Sequence, residues 1–200
     1  MLALAAHPIS STVYLVDEDI SELHSVAAWY EAPEASVSSD EIWSMLGSFS
    51  SKDFQEKRES EKDYWAYLQL KNNRDYNHTD WVIEFDLGVT DIDAYLRRES
   101  GEIEEHRSGY FNVKTRTYDP IVKGNMIAID IDPDETIELV IKLHSSRKPM
   151  PPILDMSMSS LIQFESKLRS RQSRNMAYLG FILMMLVFTI LLFGLSLIHI

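Results

Sequence analysis

One stretch constrains this chain more than any other. Met176–Ile198 reads MAYLGFILMMLVFTILLFGLSLI and carries no charged side chain. As a helix rising 1.5 Å per residue it is about 34 Å long, enough to cross a hydrocarbon core of about 30 Å. A helix packed against a soluble core shows a polar face, and this stretch has none. Gly180, Thr189, Gly194 and Ser196 are of the small or weakly polar kind that membrane helices tolerate. The residues before it offer no comparably apolar partner for a buried helix. Met176–Ile198 is therefore expected to be a transmembrane helix in contact with the lipid bilayer.

All 19 Lys and Arg and all 31 Asp and Glu precede Met176. Residues 155–175 hold four basic and two acidic groups, which leaves 15 basic and 29 acidic groups, a net of −14, in residues 1–154. An acidic domain is followed by a basic approach to the membrane. Such a domain repels nucleic acid, so no nucleic-acid partner is expected. There is no cysteine, which excludes disulfides, thiolate zinc sites and thiol nucleophiles. MLALAA at the N-terminus has small residues suited to a signal-peptidase site, but lacks a basic region and a full apolar run. Residues 1–10 read equally as a signal-peptide remnant or as an ordinary terminus.

Residues 11–158 carry β-signals. Thr12–Val16 (TVYLV) and Ala27–Tyr30 read as short strands. Ser38 and Glu41 form an S-x-x-E capping box, which predicts a short helix over Glu41–Leu46. From Tyr64 the period is two: Tyr64, Ala66, Leu68 and Leu70 share one face, as do Trp81, Ile83, Phe85 and Leu87. Ile92–Leu96 is a further strand, and Gly101–Tyr110 is charged and unassigned. Asn125–Ile131 and Thr136–His144 both alternate cleanly, and the turn Asp132–Glu135 between them predicts a hairpin. Pro151 and Pro152 before Ile153–Met158 predict a closing edge strand. Many short strands with few helices indicate an all-β sandwich. From Ser159 the spacing of Leu161, Phe164 and Leu168 is helical. With no breaker before Met176, a juxtamembrane helix over 159–175 is expected to run directly into the span, either as a spacer or as an element that transmits a displacement.

The strand series resembles a known family. YWAYLQLKN at Tyr64–Asn72, WVIEFDLGVTDIDAYL at Trp81–Leu96 and ETIELVIKLHSS at Glu135–Ser146 are similar to strands of the type-two extracellular domain of bacterial seven-transmembrane receptors with diverse intracellular signalling modules. The resemblance covers roughly Ser11–Met158. It implies a mainly β, jelly-roll-like β-sandwich similar to carbohydrate-binding modules, lying outside the cytoplasmic membrane. There it would precede seven spans and a cytoplasmic output such as a kinase or cyclase. This sequence has one span, and the sparse polar flank after it (His199) favours a piece of a longer chain. Orientation sets two signals against each other. Lys167, Arg169, Arg171 and Arg174 precede the span, and the positive-inside rule would place the N-terminal domain in the cytoplasm. The resemblance places it outside. That rule weakens for long exported domains, so the N-terminal domain is expected outside.

No enzyme motif is present: no two histidines have H-E-x-x-H spacing, and there is no G-x-S-x-G, phosphate loop or kinase signature. Neither catalytic residues nor a cofactor is expected. Glu104, Glu105 and His106 read as a solvated charge run. Asp130, Asp132 and Asp134 resemble the start of a calcium loop, but Pro133 and Glu135 at the sixth position spoil it, so no metal site is assigned. Asn77-His78-Thr79 reads as a turn. Aromatic faces stack on sugar rings, with polar neighbours for the hydroxyls. Trp29, Tyr30, Trp65, Tyr67, Trp81, Tyr110 and Tyr118 are candidates, and Trp81 is assigned to the core. With Tyr64 and its alternates facing inward, Trp65, Tyr67 and Gln69 form an outward stripe that either binds ligand or packs on loops. Together with Tyr110 and Tyr118 they make the candidate ligand-binding set. The ligand expected is a small molecule such as a carbohydrate. A homodimer is a further partner the chain admits. A single-pass binding protein without signalling output is the alternative reading.

Overall fold

The computed structural model describes residues 12–15, 19–20, 22–32, 37–50, 62–74, 79–85, 89, 91–109, 125–144 and 154–198. They form two compact units, divided between Leu161 and Ile162.

The first unit is a β-sandwich. Its strands are β1 (Val13–Leu15), β2 (Asp19–Ile20), β3 (Ala28–Glu31), β4 (Asp63–Asn72), β5 (Asp80–Phe85), β6 (Asp91–Arg97), β7 (Ile103–Ser108), β8 (Met126–Asp130), β9 (Thr136–His144) and β10 (Met156–Ser160). A six-stranded sheet has the order β1-β4-β9-β6-β7, with β3 also paired to β4. The two share one edge of β4: β3 lies antiparallel to Tyr64–Tyr67, and β1 parallel to Leu70–Asn72. The second sheet has the order β2-β10-β5-β8. From β4 onward the chain changes sheet at every connection but β6–β7, the jelly-roll-like arrangement expected. Two short helices, α1 (Leu23–Val26) and α2 (Ser39–Ser44), precede β4.

The core lies between the sheets. Tyr64, Ala66, Leu68 and Leu70 of β4 meet Trp81, Ile83 and Phe85 of β5, with Ile92, Ala94 and Leu96 of β6 and Ile137, Leu139, Ile141 and Leu143 of β9. Period-two alternation puts these side chains on one face. Full burial of each large one contributes about 1.5–3 kcal/mol.

Two expectations are corrected. β8 and β9 are not a hairpin: β8 pairs with β5, whereas β9 is flanked by β4 and β6 in the other sheet. Both edges of β9 are occupied, so β8 has no place beside it. The Asp132–Glu135 turn instead carries the chain between sheets, and Asp134 takes φ 64° there, a left-handed conformation that Asp tolerates better than most residues. Asn72, fully buried, fixes this crossing. Its Nδ2 donates to the Ile131 carbonyl (2.8 Å) and its Oδ1 accepts from the Arg74 N–H (3.0 Å). Its backbone accepts from Asp134 and donates to Glu135. β10 is not an edge strand: β2 lies on one side and β5 on the other. Pro151 and Pro152 precede the strand, so the rule confining proline to edges does not bear on it. The charged Gly101–Tyr110 segment supplies β7, which among the described residues is an edge strand paired with β6, and charges on an edge discourage pairing with other chains.

The second unit is helical. Helix α3 spans Leu161–Ile198, 38 residues without interruption, and its side chains from Met176 to Phe193 are exposed. Among the described residues it is the one helix long and apolar enough to cross a membrane.

Candidate functional site

The candidate site is the outer face of the six-stranded sheet. Register sets its rows. Trp65, Lys142, Asp93 and Arg107 lie side by side across β4, β9, β6 and β7. The next row holds Tyr67, Val140, Tyr95 and Glu105, and the one after it Gln69, Glu138, Arg97 and Ile103.

Half of this face is covered. Trp65 and Tyr67 project away from the main core, as the alternation predicted, but are only 1% and 3% exposed. Ile42, Leu46 and Phe49, from α2 and the turn after it, form a second apolar cluster with Trp65, Tyr67, Ala28, Ala32 and Val140. The capping box that starts α2 is formed in both directions: the Ser38 hydroxyl accepts from the Glu41 N–H, and the Glu41 carboxylate accepts from the Ser38 N–H. Of the two outcomes open to the stripe, Trp65 and Tyr67 take the packed one. The Tyr67 hydroxyl donates to Glu138 (2.9 Å). Burial first, then this hydrogen bond, pushes its pKa up. Gln69 is half-buried and accepts from the Thr12 hydroxyl at 2.7 Å. Tyr110 and Tyr118 lie outside the described residues.

The other half, over β9, β6 and β7, is polar. Asp63, largely buried, accepts from Lys142 at 2.8 Å and contacts His144 Nδ1 at 2.7 Å. Asp93 stands between Lys142 and Arg107 in register, and its carboxylate is 3.8 Å from the Arg107 guanidinium. Burial raises the Asp93 pKa above the ordinary carboxylate value, against the opposing pull of Arg107 and Lys142. Tyr95, half-buried, stacks against Trp65 with ring centroids 6.3 Å apart and planes at 24°. Lys142 Nζ sits 5.6 Å from the Trp65 ring, and Arg97 lies 4.2 Å over the Trp43 ring. Arg97 also pairs with Glu138 at 2.5 Å. The Nε1 groups of Trp65 and Trp43 are buried with no hydrogen-bond partner among the described residues.

This half-face presents carboxylate acceptors and cationic donors in register on adjacent strands, next to the Tyr95 ring. Sequence reasoning missed Asp93, Lys142 and Tyr95. Their signal was present, because Asp93 and Tyr95 fall in Ile92–Leu96 and Lys142 in Thr136–His144, both expected as strands, at the polar or aromatic positions between buried apolar ones. No group of three or more His, Asp and Glu among the described residues is placed to hold a metal ion.

The family model for the "7TMR-DISM extracellular 2" domain matches residues 25–157. The chain belongs to this family of extracellular sensor domains of transmembrane receptors, and the apolar helix that follows fits a first membrane span. It is a membrane protein with an extracellular N-terminal domain, and that family is not enzymatic. No curated protein matches the chain. Among solved structures, one described by the promiscuous specificity of carbohydrate-binding modules of the β-sandwich superfamily is 16% identical, covering 51% of this chain and 41% of its own, with a TM-score of 0.24. The apo β-glucuronidase of Ruminococcus gnavus is 11% identical, covering 55% of this chain and 21% of its own, with a TM-score of 0.29. The chain thus spans less than half the length of either structure, and at such overlap neither likeness bears on the site.

Proposed function

We propose that this domain senses a small hydroxyl-bearing molecule such as a carbohydrate, for a receptor in the bacterial cytoplasmic membrane whose output module lies in the cytoplasm. The observation that carries this reading is the polar half of the outer sheet face, where Lys142, Asp93 and Arg107 lie in one register row next to Tyr95 and Lys142 also holds Asp63. Hydroxyl groups of a ligand would accept from Lys142 and Arg107 and donate to Asp93, while the Tyr95 ring offers an apolar edge. Ligand binding would act by population shift: it favours one of two arrangements of the receptor only by its difference in affinity for them. Residues 11–158 would form the sensor and residues 159–175 the connection to the span.

The test is a thermal-shift panel of neutral mono- and oligosaccharides on the full chain in detergent, repeated with Asp93→Asn/Lys142→Gln. At least one sugar should raise the wild-type midpoint, and the double variant should lose that shift. A sugar that still shifts the double variant equally removes the site. A panel that shifts neither protein removes carbohydrate as the ligand class.

A further inference from the structure

We propose that the part of α3 just before its apolar stretch is a binding surface for anionic phospholipid headgroups, in the leaflet on the side of the N-terminal domain. Three of its four cations are aligned. At about 100° per residue, Lys167, Arg171, Arg174 and Tyr178 fall within about 60° of one another around the helix. Arg169 points the opposite way and stands 3.6 Å from Glu165, one turn earlier. Arg171 and Arg174 are exposed, Lys167 is half-buried, and Tyr178 is 72% exposed.

Depth identifies the occupant. Met176 opens the apolar stretch, so Arg174 lies about 3 Å, Arg171 about 7.5 Å and Lys167 about 13.5 Å above the hydrocarbon edge, measured along an upright helix. The headgroup layer is about 5–7 Å thick on each side. Arg174 lies within it, Arg171 sits at its upper boundary, and Lys167 lies about one turn above that. Tyr178, within the first turn below the edge, has the amphipathic ring favoured at that boundary. The three cations are spread over about 10 Å of helix, too far to converge on one phosphate and well spaced for two or three adjacent headgroups. The preceding residues 1–154 carry a net of −14 (15 basic, 29 acidic), so an anionic membrane surface repels them. A cationic stripe within a Debye length of about 8 Å from the surface offsets that repulsion locally.

The test uses the full chain in nanodiscs of phosphatidylcholine with a minority of phosphatidylglycerol, followed by mass analysis of the lipids retained on gentle release. Each basic residue near an anionic surface contributes about a five-fold preference. The wild type should retain phosphatidylglycerol well above its share of the disc. The variant K167Q/R171Q/R174Q should fall to that share, and R169Q should not. Glutamine keeps helix propensity, and unchanged far-ultraviolet circular dichroism confirms the helix in each variant. Absence of enrichment in the wild type overturns the proposal, as does an equal loss in R169Q, which would mean diffuse charge and not a stripe. Competition by excess glycerol phosphate would assign the stripe to a soluble phosphate. Cross-linking of stripe positions between two copies, without lipid enrichment, would assign it to a second chain.

Discussion

Replacing Asn72 by alanine tests the crossing between the two sheets. The side chain donates to the Ile131 carbonyl at 2.8 Å and accepts from the Arg74 N–H at 3.0 Å, in a fully buried position. Losing the bond to Arg74 costs about 0.5–1.5 kcal/mol, and leaving the buried Ile131 carbonyl unpaired costs about 1–3 kcal/mol. The sum is about 2–4 kcal/mol. For a domain of this size each kcal/mol lowers the midpoint by about 2–4 °C, so Asn72→Ala should unfold about 5–15 °C lower. The backbone bonds of Asn72 to Asp134 and Glu135 survive the change, so the variant should still fold. All four tryptophans precede the membrane helix, and the tryptophan band of the near-ultraviolet circular dichroism of the full chain in detergent therefore follows the sandwich. Asn72→Asp keeps the acceptor for Arg74 but loses the donor to Ile131, and it should shift the same way. A loss below about 1 kcal/mol in both variants would refute the assignment of Asn72 as the clamp on the turn.

Trp65→Ala should cost about 3–5 kcal/mol in the same assay, because the ring is packed beneath α2; a cost near zero would return it to the surface. Ser38→Ala should lower stability by about 1 kcal/mol and speed amide exchange in Ser39–Ser44; unchanged exchange would deny the capping box a role. Asp93 titrates above its ordinary value because it is buried, so the protonated carboxyl suits the folded state better than the ionised one. Stability from this group is complete below the unfolded pKa near 3.8 and is lost as pH rises through the folded value. Asp93→Asn should therefore raise the neutral-pH midpoint relative to wild type, with the gain vanishing at low pH. A gain that grew on acidification would reverse the sign and sink the reasoning.

Faces were legible in the sequence and partners were not. The alternation in Tyr64–Leu70 assigned every inward residue correctly, and Ser38 with Glu41 marked α2 by a local hydrogen-bond pattern. Alternation does not say which strand lies alongside: Ile127 and Ile129 of β8 face the same core as Ile137 and Leu139 of β9 from the opposite sheet. A short polar turn between them was compatible with either arrangement, and only the occupied edges of β9 decide it. The cover on Trp65 and Tyr67 was illegible for a related reason. Six consecutive buried positions at the start of β4, and Val140–Ile141 in β9, mark strands covered on both faces, but the covering residues come from a segment more than 15 residues away in sequence. In α3 the apolar run and the absence of a breaker were local, so the helix was read nearly whole. At the candidate site the stacking aromatics were visible as residue types, whereas the grouping of Asp63, Asp93 and Lys142 arises from pairing of distant strands.

Every ligand-sensing claim requires the sandwich to lie outside the membrane, against the pull of the basic residues before the span. The chain has no cysteine, so a single Ser100→Cys, in the exposed turn between β6 and β7, gives one reporter on that domain. Intact cells are treated with a membrane-impermeant maleimide, with outer layers permeabilised where present, and compared with lysed cells. The account predicts full labelling of the intact cells. Labelling only after lysis would place the domain in the cytoplasm and contradict the account at its base.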